Sequence, residues 1–474
     1  MNLPFPISMV LDIVLIIIVI GIILVILLEN RNPQKSLSWI LVLICLPVVG
    51  VLLYLFFGRE YRKKHRISKK LYKGLDKEHY PLPHINGSEK YPSEYQKLIW
   101  MFSRINEAPV LSGNKMEFFT SGTDKFEALF ADIENAFDHI HLLYYKILDD
   151  KIGNRLKNRL IKKAKQGVEI RILYDDVGSI HTKKRYFNEM ISEGIEVEPF
   201  LEVRFPLLAQ RVNYRNHRKI AIIDGRIGYT GGMNIGDCYI EGLPWGKWKD
   251  IQIRIEGNGV KGLQQVFLTD WYFSRKIFPQ SGFYFPEMPD NGDNPMQIIS
   301  SGPIDIYNSI EKGILQAINA AKKSIYIQTP YFMPTQAILT ALQTAAVSGV
   351  NIHVMIPQKS DSYLVDKSAH SYINDMLEHD IKVYLYEGGF LHSKSMVIDE
   401  SLLSIGSANM DIRSFELSFE TNAFIYDKAT AQRAKNIFIE DVKESLFITK
   451  SKWNKRPVSS KLIEAVMRLF TPVF

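Results

Sequence analysis

Cysteine is nearly absent: Cys45 and Cys238 are the two in 474 residues. That excludes a disulfide-stapled scaffold and a cysteine-rich zinc module. It fits a reducing compartment and equally a chain without redox chemistry. A charge excess is also missing from most of the chain. The formal net charge is +7, yet residues 59–73 alone hold eight basic residues (Arg59, Arg62, Lys63, Lys64, Arg66, Lys69, Lys70 and Lys73) and one acid, Glu60. The remaining residues therefore sum to zero, which disfavours a globally basic nucleic-acid binder. Low complexity is absent as well. At 46% hydrophobic and 23% charged residues, the chain can bury full-sized cores and is not disordered. At about 150 residues per domain, its length suggests roughly three units.

Long apolar runs are present, and they come first. Residues 8–28 and 37–57 are each 21 residues of mostly Ile, Leu and Val. As helices each would be about 31 Å long, the thickness of a bilayer's hydrocarbon core. The start, Met-Asn-Leu-Pro-Phe-Pro, lacks the basic residues of a cleaved signal peptide. Residues 1–58 thus read as a transmembrane two-helix hairpin. The link, residues 29–36, carries only Arg31 and Lys35, whereas the basic block follows the second run. The positive-inside rule then puts everything after the hairpin in the cytoplasm, held at a cell membrane whose anionic lipid attracts the block. Residues 59–110 read as a basic juxtamembrane segment and linker, punctuated by Pro81, Pro83, Gly87, Pro92 and Pro109, with a short helix over 94–104.

Beyond the linker, strand-like and helical patterns alternate. Strands are predicted at 136–145, 168–174, 195–201 and 219–223, with helices at 154–166 and 184–192. The same order recurs at 324–327 (strand), 335–347 (helix), 349–356 and 381–384 (strands). Gly167-Val-Glu-Ile-Arg-Ile-Leu173 matches Gly349-Val-Asn-Ile-His-Val-Met-Ile356. The fold class is α/β, with a duplicated unit: residues 111–285, then 286–474, joined across the Gly- and Pro-rich stretch 282–295.

Each unit carries the same constellation. The first reads His217-Arg-Lys219, then Asp224, then Gly231-Gly-Met-Asn234. The second reads His392-Ser-Lys394, then Asp399, then Gly406-Ser-Ala-Asn409, at identical offsets. One His-x-Lys-x4-Asp arises by chance in roughly one chain in thirty; two, both extended and both at the same point of a repeat, do not. In a strand, residues two apart share a face, so each His and Lys should project together, with the apolar run continuing into the core and the Asp closing the strand. Two such strands related by a pseudo-twofold would set two imidazoles beside two ammonium groups. That suits a phosphodiester: one His attacks phosphorus, lysines and Asn234 and Asn409 hold the non-bridging oxygens, and the other His protonates the leaving alkoxide. The lysines supply the positive charge, so neither a metal nor another cofactor is expected. His139 and His141 share a strand face without further ligands around them and read as structural.

The doubled motif resembles the signature of the phospholipase D superfamily, over about residues 112–450. Within it the likeness is to the bacterial cardiolipin synthases, through the two apolar runs, Asn213-Tyr-Arg-Asn-His-Arg-Lys219, Trp248-Lys-Asp250, Gln328-Thr-Pro-Tyr-Phe332 and Asn409-Met-Asp-Ile-Arg-Ser414. The resemblance implies transphosphatidylation: one phosphatidylglycerol gives its phosphatidyl group to a His, and a second accepts it, yielding cardiolipin and glycerol. It makes His217, Lys219, Asp224, His392, Lys394 and Asp399 the catalytic candidates, with the two aspartates bracing the site. It implies an acid on a later strand orienting each His, assigned here as Glu420 to His392 and Asp250 to His217. Family precedent favours His217 as nucleophile; the near-symmetric motifs do not decide. A phospholipase D-type hydrolase, a nuclease, a transferase with another alcohol or a catalytically silent membrane scaffold would be the rivals. The neutral charge outside 59–73 counts against the nuclease, and the intact motifs count against the scaffold.

Three further features stay open on sequence alone. Tyr144-Tyr145 and Tyr331-Phe332 either line a lipid entrance or pack in the core. Phe205-Pro-Leu-Leu208 is a candidate to dip into the membrane. Leu462, Ile463, Val466, Leu469 and Phe470 recur at helical spacing, marking either an interfacial helix or one docked on the catalytic body.

Overall fold

The computed structural model describes residues 7–28, 33–54, 93–202 and 213–469, except 278, 280–283, 289–291 and 293, and residue 471. The basic block 59–73 and the Phe205–Leu208 segment lie outside the described residues.

The N-terminal part forms a unit of its own. Its first helix, Ile7–Leu28, contains an apolar stretch, Met9–Leu28, long enough to cross a membrane. The second run is not one continuous helix. Pro47 cannot donate to the helical ladder, and the run divides into Pro33–Cys45 and Pro47–Leu53. Trp39 and Tyr54 meet edge to face at 5.5 Å, beside Val19, Ile26 and Leu43.

Both repeats fold into the second unit. The first sheet runs, edge to edge, Asn114–Phe119, Gln252–Gly257, Ile227–Gly231, Lys219–Ile223, His139–Tyr144, Glu169–Asp175, Glu196–Phe200. The second runs Met296–Ser301, Ser418–Ile425, Leu402–Gly406, Ser395–Ile398, Ser324–Gln328, Asn351–Pro357, Lys382–Tyr386, and adds an edge strand, Ser445–Ile448. Position by position the order is the same, so the duplication read from the motifs extends to the whole sheet. The predicted strand and helix positions match to within a few residues. The outer antiparallel strands of both sheets went unread, because their apolar runs are short.

Each sheet buries both faces. Along the first motif strand, Ile220 and Ile222 enter a core shared with Val397, Leu403 and Ile405 of the second sheet. Ala221 and Ile223 point the other way, toward Phe126, Leu129 and Phe130 of the flanking helix Gly122–Asn135. The two-residue period of a strand thus makes Lys219-Ile-Ala-Ile-Ile the central plank of a three-layer packing. His139 and His141 sit in that interior as satisfied core groups. Gln264 bonds both rings, and His141 stacks on Phe267.

Candidate active site

The motif histidines do not sit on the core strands, as strand alternation alone predicts. Each falls in a break where the chain leaves one ladder for another. Arg215–Asn216 pairs in parallel with Ser418–Phe419 of the other repeat, and the chain then enters its own sheet at Lys219. Gly389–Leu391 likewise pairs in parallel with Lys247–Lys249, and its own sheet resumes at Ser395. The backbone N–H of His217 donates to Phe419 O (2.9 Å), and that of His392 to Lys249 O (2.6 Å).

These two short ladders decide which acid meets which imidazole. One step beyond Asn216↔Phe419 lie His217 and Glu420; one step beyond Leu391↔Lys249 lie His392 and Asp250. His217 Nδ1 is 3.1 Å from Glu420 Oε1, and His392 Nδ1 is 2.6 Å from Asp250 Oδ2. The expected assignment, Glu420 to His392 and Asp250 to His217, is therefore corrected: the pairs are exchanged between repeats. The physical reason is that each histidine segment adds to the partner repeat's acid strand rather than to its own. Each acid fixes Nδ1–H, leaving the Nε2 lone pair of each ring for chemistry.

The two lysines fold back on the same segments. Lys394 Nζ donates to His392 O at 2.5 Å, and Lys219 Nζ donates to His217 O. Both ammonium groups are buried. Burial lowers Lys394 to about 8 and pushes Lys219 well down, and each lysine lowers the other repeat's histidine. Burial holds His217 at about 4 and His392 well below its usual value. Both imidazoles are neutral at rest, and the lysines retain unspent attraction for an anion. Asp250 is raised by burial to about 6. Burial pushes Glu420 upward too, but His217, Lys219 and the Ser407 hydroxyl outweigh it and hold the carboxyl below its usual value.

The Gly-(Gly/Ser)-x-Asn segments support the acids. Ser407 Oγ donates to Glu420 Oε2 (2.5 Å) and accepts from Thr421 N–H (2.9 Å). The matching Gly232 instead makes room, since a Cβ there would fall 2.0 Å from Asp250 Oδ1. Asp250 is fully buried and bonded to Ile251 N–H and His392, so it has nowhere to retreat. Gly232→Ala is expected to lower turnover by about 100-fold through displacement of His392, and to lower the melting temperature as well, since the clash falls on a buried group. Wild-type turnover in that variant would show that the Asp250–His392 bond is dispensable.

The motif aspartates close their strands, as the spacing predicts, and their partners are backbone groups. Asp224 accepts from the backbone N–H groups of Phe137, Asp138 and His139, and Asp399 from those of Lys322, Lys323 and Ser324. Each sits at the far end of its strand, about 16 Å along from the lysine at about 3.3 Å per residue. They brace the neighbouring strand's first turn and are not catalytic in the sense of touching the reacting atoms. Asn234 is also committed: its Oδ1 accepts from Lys146 N–H (3.2 Å), and its Nδ2 donates to Tyr239 Oη (2.6 Å). Asn409 Oδ1, buried, has no hydrogen-bond partner. That free atom is an acceptor, so a donor to a phosphate oxygen would have to be the Asn409 amide nitrogen.

Residues outside the motif complete the site. Tyr145 packs edge-on against His217 at 5.0 Å, and Trp248 lies 4.8 Å from the His392 ring. Tyr144 and Phe332 are core, and Tyr331 packs against the same core cluster as Phe332. Lys146 adds a third positive charge acting on Lys219 and His392. Arg218, between His and Lys of the first motif, is buried and its Nη1 donates to both oxygens of Asp270 (2.5 Å to each), while Asn216 donates to the same carboxylate (2.8 Å). That ion pair pins the His217 segment between the sheets. The second motif has Ser393 at this place, so sequence symmetry gave no signal for it.

Comparison with known proteins agrees with this geometry. The family model described as "Cardiolipin synthase, PLD-like domain" matches residues 129–243 and 314–442, and "Phospholipase_D-nuclease N-terminal" matches 10–59. A cardiolipin synthase of Listeria monocytogenes serotype 4a is 40% identical over 98% of both chains. The major cardiolipin synthase ClsA of Bacillus subtilis is 38% identical over 98% of this chain and 99% of its own. In three dimensions, the phosphatidylserine synthase of Haemophilus influenzae superposes with a TM-score of 0.62 at 13% identity, over 80% of this chain and all of its own, which shows a common fold. With its duplicated sheets, two His–Lys pairs and near-complete alignment to these relatives, the chain belongs to the cardiolipin synthase family, membrane-associated phosphatidyltransferases on the phospholipase D-like fold.

Proposed function

We propose that this enzyme joins two phosphatidylglycerol molecules into cardiolipin and glycerol through a phosphatidyl-histidine on His217. The observation that carries the reading is the pair of neutral, buried imidazoles, each fixed at Nδ1 by an acid of the other repeat, beside two buried lysines. The phosphate of the first lipid enters between the lysines, and its charge offsets the burial that depresses the surrounding cations. His392 takes up a proton as the phosphate's negative charge enters beside it; His217 Nε2 then attacks phosphorus, the bond to the headgroup glycerol breaks, and His392 gives that alkoxide its proton. The headgroup hydroxyl of the second lipid then attacks phosphorus, His392 takes up its proton, and the P–N bond breaks. One phosphodiester replaces another, so no nucleotide or metal enters the balance. The contrast between the two acids supports His217 as nucleophile. Its partner Glu420 is held ionised and stabilises the positive phosphoimidazole, whereas Asp250 is raised.

In the same reading the two short helices Pro33–Cys45 and Pro47–Leu53 make the return span of a hairpin, and the basic block places the catalytic unit on the cytoplasmic side. The deciding test gives purified protein phosphatidylglycerol alone, with EDTA present, and identifies products by mass. Cardiolipin and glycerol in equal amounts support the reading. Phosphatidic acid as the main product would replace it with hydrolysis, and dependence on an added metal would contradict the metal-free step.

The pH profile is a second expectation. In the free enzyme, kcat/KM should weaken as pH falls through about 6, where Asp250 gains a proton and no longer stabilises charge on His392, and fail near 4, where His217 gains a proton and its lone pair is lost. It should decline above about 8 as Lys394 loses its charge. Full activity retained below pH 4 would mean that the lone pair of His217 is not the nucleophile.

A further inference from the structure

The helix Val458–Arg468 is docked with its polar side inward. Glu464 is 4% exposed and is held by Arg456 (2.6 Å), while Val458, Leu462 and Leu469 face outward at 79%, 64% and 77% exposure. The docking is specific: Ser368 Oγ donates to Met467 O (3.1 Å), and Arg468 pairs with Asp375 (2.7 Å). Its outward apolar stripe is therefore held in place by ion pairs and hydrogen bonds on the opposite side, an inversion of the usual arrangement for a helix on a soluble body.

The neighbouring helix, Tyr363–His370, runs in the same direction, because Ser368 meets Met467 and Tyr372 meets Thr471. That register sets Tyr363 and Leu364, also exposed, level with Leu462 and Ile463. Two residues before Tyr363 is Asp361, which accepts from the Tyr331 hydroxyl (2.8 Å) and whose charge acts on Lys394. The start of the helix Tyr363–His370 is thus tied to the catalytic centre through Asp361. Along residues 450–469 the exposed charge is of one sign, and the exposed acid Asp361 lies beyond the other end of the patch. Lys450, Lys452, Lys455 and Lys461 are exposed, and the lone acid of residues 450–474, Glu464, is buried and paired. A second copy of the chain laid on this face would oppose lysine to lysine. An anionic bilayer would take the apolar stripe among its acyl chains and the lysines at its headgroups.

We propose that the outward face of Val458–Arg468, together with Tyr363 and Leu364, inserts into one leaflet of an anionic bilayer and holds the catalytic unit against it. Only the choice of bilayer rests on the phosphatidylglycerol reading. The test uses the full chain carrying Cys45→Ser and Cys238→Ser, with a polarity-sensitive dye on Leu462→Cys or, as an aqueous reference, on Lys162→Cys. The protein is reconstituted into phosphatidylcholine vesicles with or without phosphatidylglycerol. The dye at 462 should shift to the blue and be quenched by spin-labelled acyl chains, more strongly with phosphatidylglycerol present; the dye at 162 should not. Leu462→Ser with Val466→Ser should lower turnover on vesicles about tenfold and leave turnover on dispersed short-chain lipid unchanged. A water-exposed spectrum at 462, or crosslinking of two copies through that position, would overturn the proposal. Insertion without cardiolipin formation would leave the docking standing and count against the proposed reaction instead.

Discussion

Neither His217→Ala nor His392→Ala is expected to form cardiolipin at a measurable rate. Each histidine fills a separate role in the proposed sequence, and a covalent route fails when either is empty, with losses on the order of 10⁴-fold or more. The two variants should differ in what they accumulate. Acid quenching during turnover should trap a phosphatidyl group on His217 in the wild type and none in His217→Ala. In His392→Ala, a substrate with a better leaving group than glycerol should still load His217, because loading then needs no protonation, and the adduct should persist because no base activates the acceptor. Peptide mass spectrometry locates the adduct. A phosphatidyl group found on His392 would exchange the two roles, and near-wild-type synthesis by either variant would end the paired-histidine mechanism.

Exchange of the two acids between repeats gives the second large effect. Glu420→Gln should impair formation of the adduct on His217, because an amide can present its oxygen to Nδ1–H but does not stabilise the cationic phosphoimidazole. Asp250→Asn should instead impair the proton transfers of His392. Losing an ionised partner from a buried histidine costs on the order of 10³–10⁴ in turnover. The leaving-group dependence separates the two. A better leaving group should rescue loading in Asp250→Asn and leave Glu420→Gln slow. The opposite pattern would restore the assignment of each acid to the other histidine. Ser407→Ala, which removes one hydrogen bond to Glu420, should act in the same direction as Glu420→Gln and more weakly.

What the chain reveals without a structure is whatever depends on local spacing. The two His-x-Lys-x4-Asp-x6-Gly motifs, the repeated Gly-Val runs and the first apolar helix are patterns within a few dozen residues, and periods of 2.0 and 3.6 translate them directly into strands and helices. The same logic gave the shared face of Ile220 and Ile222 and the apolar period of the last helix. Tertiary structure alone decided which groups meet. Glu420 reaches His217 across 203 residues and Asp250 reaches His392 across 142, through two-residue and three-residue parallel ladders too short to leave a sequence pattern. The motif aspartates look catalytic by proximity in sequence, but five strand residues carry each to the far end of its sheet, onto backbone N–H groups. Arg218 finds Asp270 only once the sheets have packed. The apolar stripe near the C-terminus was legible as a stripe, but the sequence did not say which way it faced. Its one acid was needed inward by Arg456, so the apolar residues turned out.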